Sequence, residues 1–191
     1  MLKNSDELNG MREAGKLAAE VLEMITDYVK PGISTGELDE ICFKYITDVQ
    51  KAIPANVGYR GFEKTLCTSI NQVICHGIPD TNRILKSGDI MNIDVTVIKD
   101  GWHGDTSKMF LIGKAQSHNE RLVRVTQECL YKGIEAAKPG ARLGDIGNAI
   151  QIHAEKNYYS VVEEYCGHGI GKIYHDEPQI LHYGEPNTGQ E

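Results

Sequence analysis

Strict alternation along Ile90 to Val97 places Asn92, Asp94 and Thr96 on one face of a strand and Met91, Ile93, Val95 and Val97 on the other. Lys99-Asp100-Gly101 is a turn signal, and a chain reversing there brings Asp105 near Asp94 across a hairpin. Opposed strand residues stand ~4.5–5.5 Å apart at Cβ, where two carboxylates repel each other. Such a pair calls for a cation between its members. The plainer alternative makes Asp105, in Gly104-Asp105-Thr106-Ser107, a solvated turn residue and Asp94 an edge-strand residue. A histidine in a glycine-rich run, Cys166-Gly167-His168-Gly169-Ile170-Gly171, is a third polar group, placed where backbone can approach a ligand closely. Taken alone it reads equally as a hydrogen-bonded structural residue. A phosphate-cradling loop is disfavoured, since no Lys-Ser or Lys-Thr follows. His76 before Gly77-Ile78-Pro79 and His175 before Asp176-Glu177-Pro178 occupy turn-rich settings, while His103, His118, His153 and His182 read as surface groups.

These residues need a scaffold. Met11, Ala14, Ala18, Val21, Ile25 and Val29 recur at steps of three and four, the mark of an amphipathic helix from Met11, and Lys30-Pro31-Gly32 stops it. Ser34 and Glu37 form a capping box, with Ile33 and Leu38 as a hydrophobic staple, so a second helix is expected from Thr35 toward Val49. Apolar runs at Leu66 to Ile70 and Val73 to His76 read as short strands, and Lys108 to Ile112 as the return strand of the hairpin. Beyond Ser117, a possible cap with Glu120, a third helix carries Leu122, Val125, Cys129, Leu130, Ile134 and Ala137 on one face.

A second Lys-Pro-Gly, at 138–140, then exposes an internal echo. Lys30-Pro31-Gly32 and Gly36-Glu37-Leu38 correspond to Lys138-Pro139-Gly140 and Gly144-Asp145-Ile146 at an offset of 108, and Cys67 and His76 correspond to Cys166 and His175 at an offset of 99. The pattern implies a duplicated α+β unit around an antiparallel sheet. Only 16 residues follow His175, so the second unit is expected to be incomplete and the chain to be C-terminally truncated.

The 191 residues suit one sizeable core, read as a single catalytic domain over 1–191. Twenty Lys and Arg against 27 Asp and Glu leave a net charge of −7, which argues against a nucleic-acid binder led by phosphate neutralisation. No apolar run approaches the ~18 residues needed to span a bilayer, and Met1-Leu2-Lys3-Asn4-Ser5-Asp6 lacks a signal-peptide layout, so a cytoplasmic protein without membrane contact is expected. Five cysteines with no C-x-x-C pair suggest buried thiols rather than disulfides or a zinc ribbon.

Together these segments resemble the type I methionine aminopeptidases, metal-dependent members of the creatinase/aminopeptidase family with the pita-bread fold. The resemblance is carried by Thr65-Leu66-Cys67-Thr68-Ser69-Ile70-Asn71, Cys75-His76-Gly77-Ile78-Pro79, Gly88-Asp89-Ile90-Met91-Asn92-Ile93-Asp94-Val95, Gly101-Trp102-His103-Gly104-Asp105-Thr106-Ser107, and Gly167-His168-Gly169-Ile170-Gly171 through His175-Asp176-Glu177-Pro178. It implies that Asp94, Asp105 and His168 are metal ligands, with two glutamates of the family's site lying beyond Glu191. It further implies that His76 and His175 act catalytically on the substrate, and that Tyr59, Phe62, Cys67 and Tyr174 line the methionine pocket. Tyr174 stands where many relatives carry Phe, and Asp176 where they usually carry Glu. The implied cofactors are two divalent metal ions (Co, Mn, Fe or Zn), and the implied substrates are nascent polypeptide N-termini near the ribosome, met by a monomer. The alternatives are a prolidase-like relative, or a catalytically inert truncated or non-catalytic pita-bread protein acting by binding.

Overall fold

The strict alternation of the hairpin decides the architecture of the first half of the chain. In the computed structural model, which describes residues 4–191, the strands β3 (Ile90–Lys99) and β4 (Trp102–Leu111) pair antiparallel over their whole lengths. They are joined by a two-residue turn at Asp100 and Gly101, both at positive φ. The return strand therefore begins at Trp102, well before the expected Lys108, and Ile112 falls outside it. On the far edge of β3 lie β1 (Ile53–Pro54) and β2 (Leu66–Ile70), at different heights, completing a four-stranded sheet.

One face of this sheet is apolar and carries the core. Ile93, Val95 and Val97 are fully buried, packed with Leu17, Val21 and Ile25 from α1 (Ser5–Ile25) and Leu38 and Cys42 from α2 (Thr35–Lys44). Gly104 allows the helix to approach, since a β-carbon there would run into the carbonyl oxygen of Ala14. The first helix starts six residues earlier than its apolar periodicity suggests, because the Asn4 side chain caps it by accepting the Glu7 N–H at 2.9 Å. It ends at Ile25, short of Lys30-Pro31-Gly32. The capping box at α2 forms as expected: Ser34 Oγ accepts the Glu37 N–H at 3.1 Å, and Glu37 Oε2 accepts the Ser34 N–H at 2.9 Å. The helix then loosens into a π turn over Tyr45–Val49 instead of continuing as α. Asp39, buried on α2, accepts the N–H groups of Thr65 and Leu66 at 2.8 and 3.2 Å and so sets where β2 begins. The expected strand over Val73 to His76 is instead a loop.

Contacts divide the chain into two compact units. The first holds the residues up to Gln116 together with Ile170–Tyr174, and the second holds Ser117–Gly169 and His175–Glu191. In the second unit α3 (Ser117–Ala136) and α4 (Leu143–Lys156) pack around Val125, Cys129 and Ala154. Ser117 is the first residue of α3 rather than its cap. The C-terminal residues fold onto the start of α4, where Gly144 and Leu143 donate their N–H groups to the carbonyls of Thr188 and Gln190 at 3.0 and 2.9 Å. The short strands β5 (Gly167–Gly169) and β6 (Asp176–Ile180) pair antiparallel. Met1, Leu2 and Lys3, part of the signal-peptide reading, lie outside the described residues. Among the described residues, no helix is long and apolar enough to cross a membrane.

Candidate active site

The face of the sheet opposite the core is polar, and it carries the two carboxylates singled out in the sequence. In the register of the hairpin Asp94 pairs with Ser107 and Asp105 with Thr96, so the two aspartates are diagonal neighbours on one face, not directly opposed. Asp105 is a strand residue, which removes the reading of it as a turn aspartate. The carboxyls are close enough to hydrogen-bond each other. Asp94 is pushed up to about 7, first by burial and then by the Asp105 charge and hydrogen bond. A carboxyl pair held half-buried in this way shares a proton at neutral pH unless a cation replaces it. Hard oxygen ligands on a desolvated face fit a divalent metal ion.

On the edge beyond Asp94, Cys67 of β2 stands directly opposite it. Burial, and then the Asp94 charge, push the Cys67 thiol up to about 12, so it is a neutral, apolar wall group rather than a thiolate. Near it runs the segment Asn56 to Phe62, in which Phe62 donates its N–H to the Tyr59 carbonyl and closes a single 3₁₀ turn over Tyr59–Gly61. The rings of Tyr59 and Tyr174 lie 4.8 Å apart and tilted by 51°. Tyr174 belongs to the segment Ile170–Tyr174 of the same unit, which His103 holds through two bonds to one atom. Its backbone N–H and its ring Nδ1 each lie 2.9 Å from the Gly171 carbonyl oxygen. The His103 ring also stacks on Tyr174 at 5.5 Å.

His76 sits at positive φ on the exposed loop after β2. The loop is pinned to the strand by Gly77, whose carbonyl accepts the Thr68 N–H at 2.8 Å and whose N–H reaches Ser69 Oγ at 3.1 Å. A β-carbon at Gly77 would strike the Thr68 carbonyl oxygen, which explains the His-Gly pair. In the second unit His168, on β5, and His175, just before β6, bring their rings within 4.4 Å of each other. His168 Nδ1 lies 2.9 Å from the Gly169 carbonyl oxygen, so the neutral ring carries its proton there and leaves Nε2 as the basic nitrogen, the tautomer of a metal-binding imidazole.

Among the described residues, no group of three or more His, Cys, Asp or Glu side chains forms a ready-made cation cage. Within the first unit the structure brings together Asp94, Asp105, Cys67, Tyr59 and Tyr174. Asn56, Thr96 and His103 also contribute, although the sequence reading gave them no role. Thr96 was legible as a neighbour of Asp94 on the same face, whereas no local pattern marks Asn56. His103 is half-buried, not a surface group. His153 and His182 are also half-buried. His153 lies 2.8 Å from Glu128, and burial pushes the His182 imidazole down.

The model of metallopeptidase family M24 matches residues 9–191. The methionine aminopeptidase of Salmonella typhimurium is 61% identical over 98% of this chain and 71% of its own length. The crystal structure of the methionine aminopeptidase from Rickettsia prowazekii superposes on all of this chain, and on 76% of its own, with a TM-score of 0.97 at 54% identity. That of the enzyme from Thermotoga maritima covers the same shares with a TM-score of 0.96 at 35% identity. A family model running through almost the whole chain, together with this identity and fold, shows that the chain belongs to metallopeptidase family M24, among its methionine aminopeptidases.

Proposed function

We propose that the chain removes the initiator methionine from newly made polypeptides by hydrolysing their first peptide bond with the help of divalent metal. The observation that carries this reading is the half-buried Asp94–Asp105 carboxyl pair on a polar sheet face, next to the wall of Cys67, Tyr59 and Tyr174. Asp94 and Asp105 would hold the metal, with His168 as an imidazole ligand through Nε2. The family implies divalent metal; the proposed number is two, drawn from Mn, Fe, Co or Zn. When bound, such ions polarise the scissile carbonyl and make water nucleophilic at neutral pH.

The chain's own residues supply recognition and proton management. The wall of Tyr59, Phe62, Cys67 and Tyr174 favours an unbranched, sulfur-containing side chain, with ~0.8 kcal/mol gained per buried methylene and a further sulfur–aromatic contribution. A neutral Cys67 neither competes as a thiolate ligand nor repels the thioether. His76 and His175 would hydrogen-bond the substrate's amide groups and hold or release a proton there during cleavage. One family model spans both units, which supports a single catalytic domain over the chain. We place its action in the cytoplasm, on chains leaving the ribosome, as a monomer.

The test is release of free methionine from Met-Ala-Ser by the purified protein loaded with Mn²⁺ or Co²⁺, alongside Leu-Ala-Ser and Lys-Ala-Ser. Preferential cleavage of the methionyl peptide is expected. Absence of methionine release from the loaded protein, or equal cleavage of the lysyl peptide, would refute the reading.

A further inference from the structure

A chain of four polar groups within the first unit runs from the substrate wall to a metal-side carboxylate. Tyr174 Oη lies 2.7 Å from Asn56 Oδ1 and 2.6 Å from Thr96 Oγ1, and Thr96 Oγ1 lies 3.0 Å from Asp105 Oδ1. Thr96 is fully buried and Asn56 nearly so. Burial pushes the Tyr174 phenol above its ordinary range, so it stays a hydroxyl at any physiological pH. These three contacts contain two hydroxyl protons. If Tyr174 donates to Asn56 and Thr96 donates to Asp105, the 2.6 Å contact between the hydroxyls holds no proton, and two lone pairs face each other at the distance of a short hydrogen bond. A half-turn of the Asn56 amide exchanges its oxygen and nitrogen at little cost in shape. Asn56 Nδ2 then donates to Tyr174, Tyr174 to Thr96, and Thr96 to Asp105. Every contact then has one proton, and every proton points toward Asp105, the direction that serves its carboxylate once a cation has displaced the proton it shares with Asp94.

We infer that Asn56, Tyr174 and Thr96 form a one-way hydrogen-bond relay that orients the Asp105 carboxylate for metal binding, making Tyr174 both a wall residue of the substrate pocket and a positioning residue for the metal side. The inference rests on the proposed reading of Asp105 as a ligand. Its physical basis is that a carboxylate held by one buried donor loses less freedom when a cation arrives. Groups behind a ligand in this way are worth 10–100-fold in metal affinity.

The experiment is calorimetric titration of the protein with Mn²⁺ alone. Thr96→Val should weaken binding about 10-fold or more. Tyr174→Phe, which keeps the ring, should cost about 2- to 10-fold, one neutral hydrogen bond acting at one remove. The double variant should be no weaker than Thr96→Val, since Tyr174 acts only through Thr96. Thr96→Ser, which retains the hydroxyl, should bind as the parent does, and if the valine variant unfolds, parent-like affinity in Tyr174→Phe would overturn the relay. Parent-like affinity in Thr96→Val, or losses that multiply in the double variant, would overturn the relay. Asp105→Asn in the same series separates the two claims. If it binds Mn²⁺ like the parent, the metal-site reading itself fails. If it loses binding while Thr96→Val does not, only the relay fails.

Discussion

The first and second units repeat one order of events, helix, Lys-Pro-Gly, helix, strand and then histidine, but they bury it differently. In the first, α1 has a sheet face to cover: Ala14, Ala18, Val21 and Ile25 are fully buried, and the core continues through Ile93, Val95 and Val97. In the second, α3 has an apolar stripe of similar period, yet only Val125, Cys129 and Gly133 are buried, while Leu130 and Ile134 remain 57% and 58% exposed. Periodicity therefore makes a helix, and a facing sheet makes a core. The same difference separates the histidines. His76 stands on a loop bonded to a strand of the four-stranded sheet, whereas His175 precedes a strand of a two-stranded one.

The largest expected effect comes from exchanging the equivalent histidines. His76→Ala should lower turnover by ~10²–10⁴-fold while metal content stays near that of the parent, and His175→Ala should behave alike if the echo is functional. Asp105→Ala should instead lose metal and activity together. Elemental analysis after dialysis decides, and metal loss in His76→Ala equal to that in Asp105→Ala would make His76 a ligand.

A smaller effect separates the two cores. Ile93→Ala, in the fully buried sheet face, should cost ~2–5 kcal/mol by urea unfolding. Ile134→Ala, on the exposed stripe of α3, should stay within ~0.5 kcal/mol. A loss at Ile134 as large as that at Ile93 would mean that the stripe is covered in solution.

Smallest per pH unit is an electrostatic effect confined to the first unit. Asp94 in the folded chain keeps its proton up to about pH 7, whereas the unfolded chain gives it up near pH ~4. The contribution is therefore full below that lower value and is lost as pH rises through 7, by at most ~1.4 kcal/mol per pH unit. Metal-free protein should lose stability over this window more steeply than its Asp94→Asn variant, and added Mn²⁺ should reverse the loss. Equal slopes for the two proteins would show that the carboxyl pair is not strained.

Much of this was legible in local sequence because the determinants are themselves local. A capping box needs only Ser34 and Glu37, and a hairpin needs only alternation and a turn. The same alternation put Asp94 and Thr96 on one face without any tertiary information, and the run of motifs from Thr65 to Pro178 identified the family. What the local pattern missed has equally physical causes. The hairpin's turn is only two residues long, so β4 starts at Trp102, and Asp105 falls opposite Thr96 instead of Asp94. The run Val73 to His76 is apolar enough for a strand, but the left-handed backbone at His76 and the close approach of Gly77 to Thr68 make it a loop.

The sequence by itself determined the elements, the polar and apolar faces of the hairpin and the residue types available for metal and substrate, because these depend on neighbours a few positions apart. Only the tertiary structure decided that Asn56, Thr96 and Tyr174 meet. Tyr174 lies 118 residues from Asn56 and 78 from Thr96, and it meets them in the segment Ile170–Tyr174, which His103 bonds through the Gly171 carbonyl. Burial is likewise a property of the assembled sheet. It moves Asp94 and Cys67 far from their ordinary protonation ranges, and no residue type or spacing in the chain carries that information.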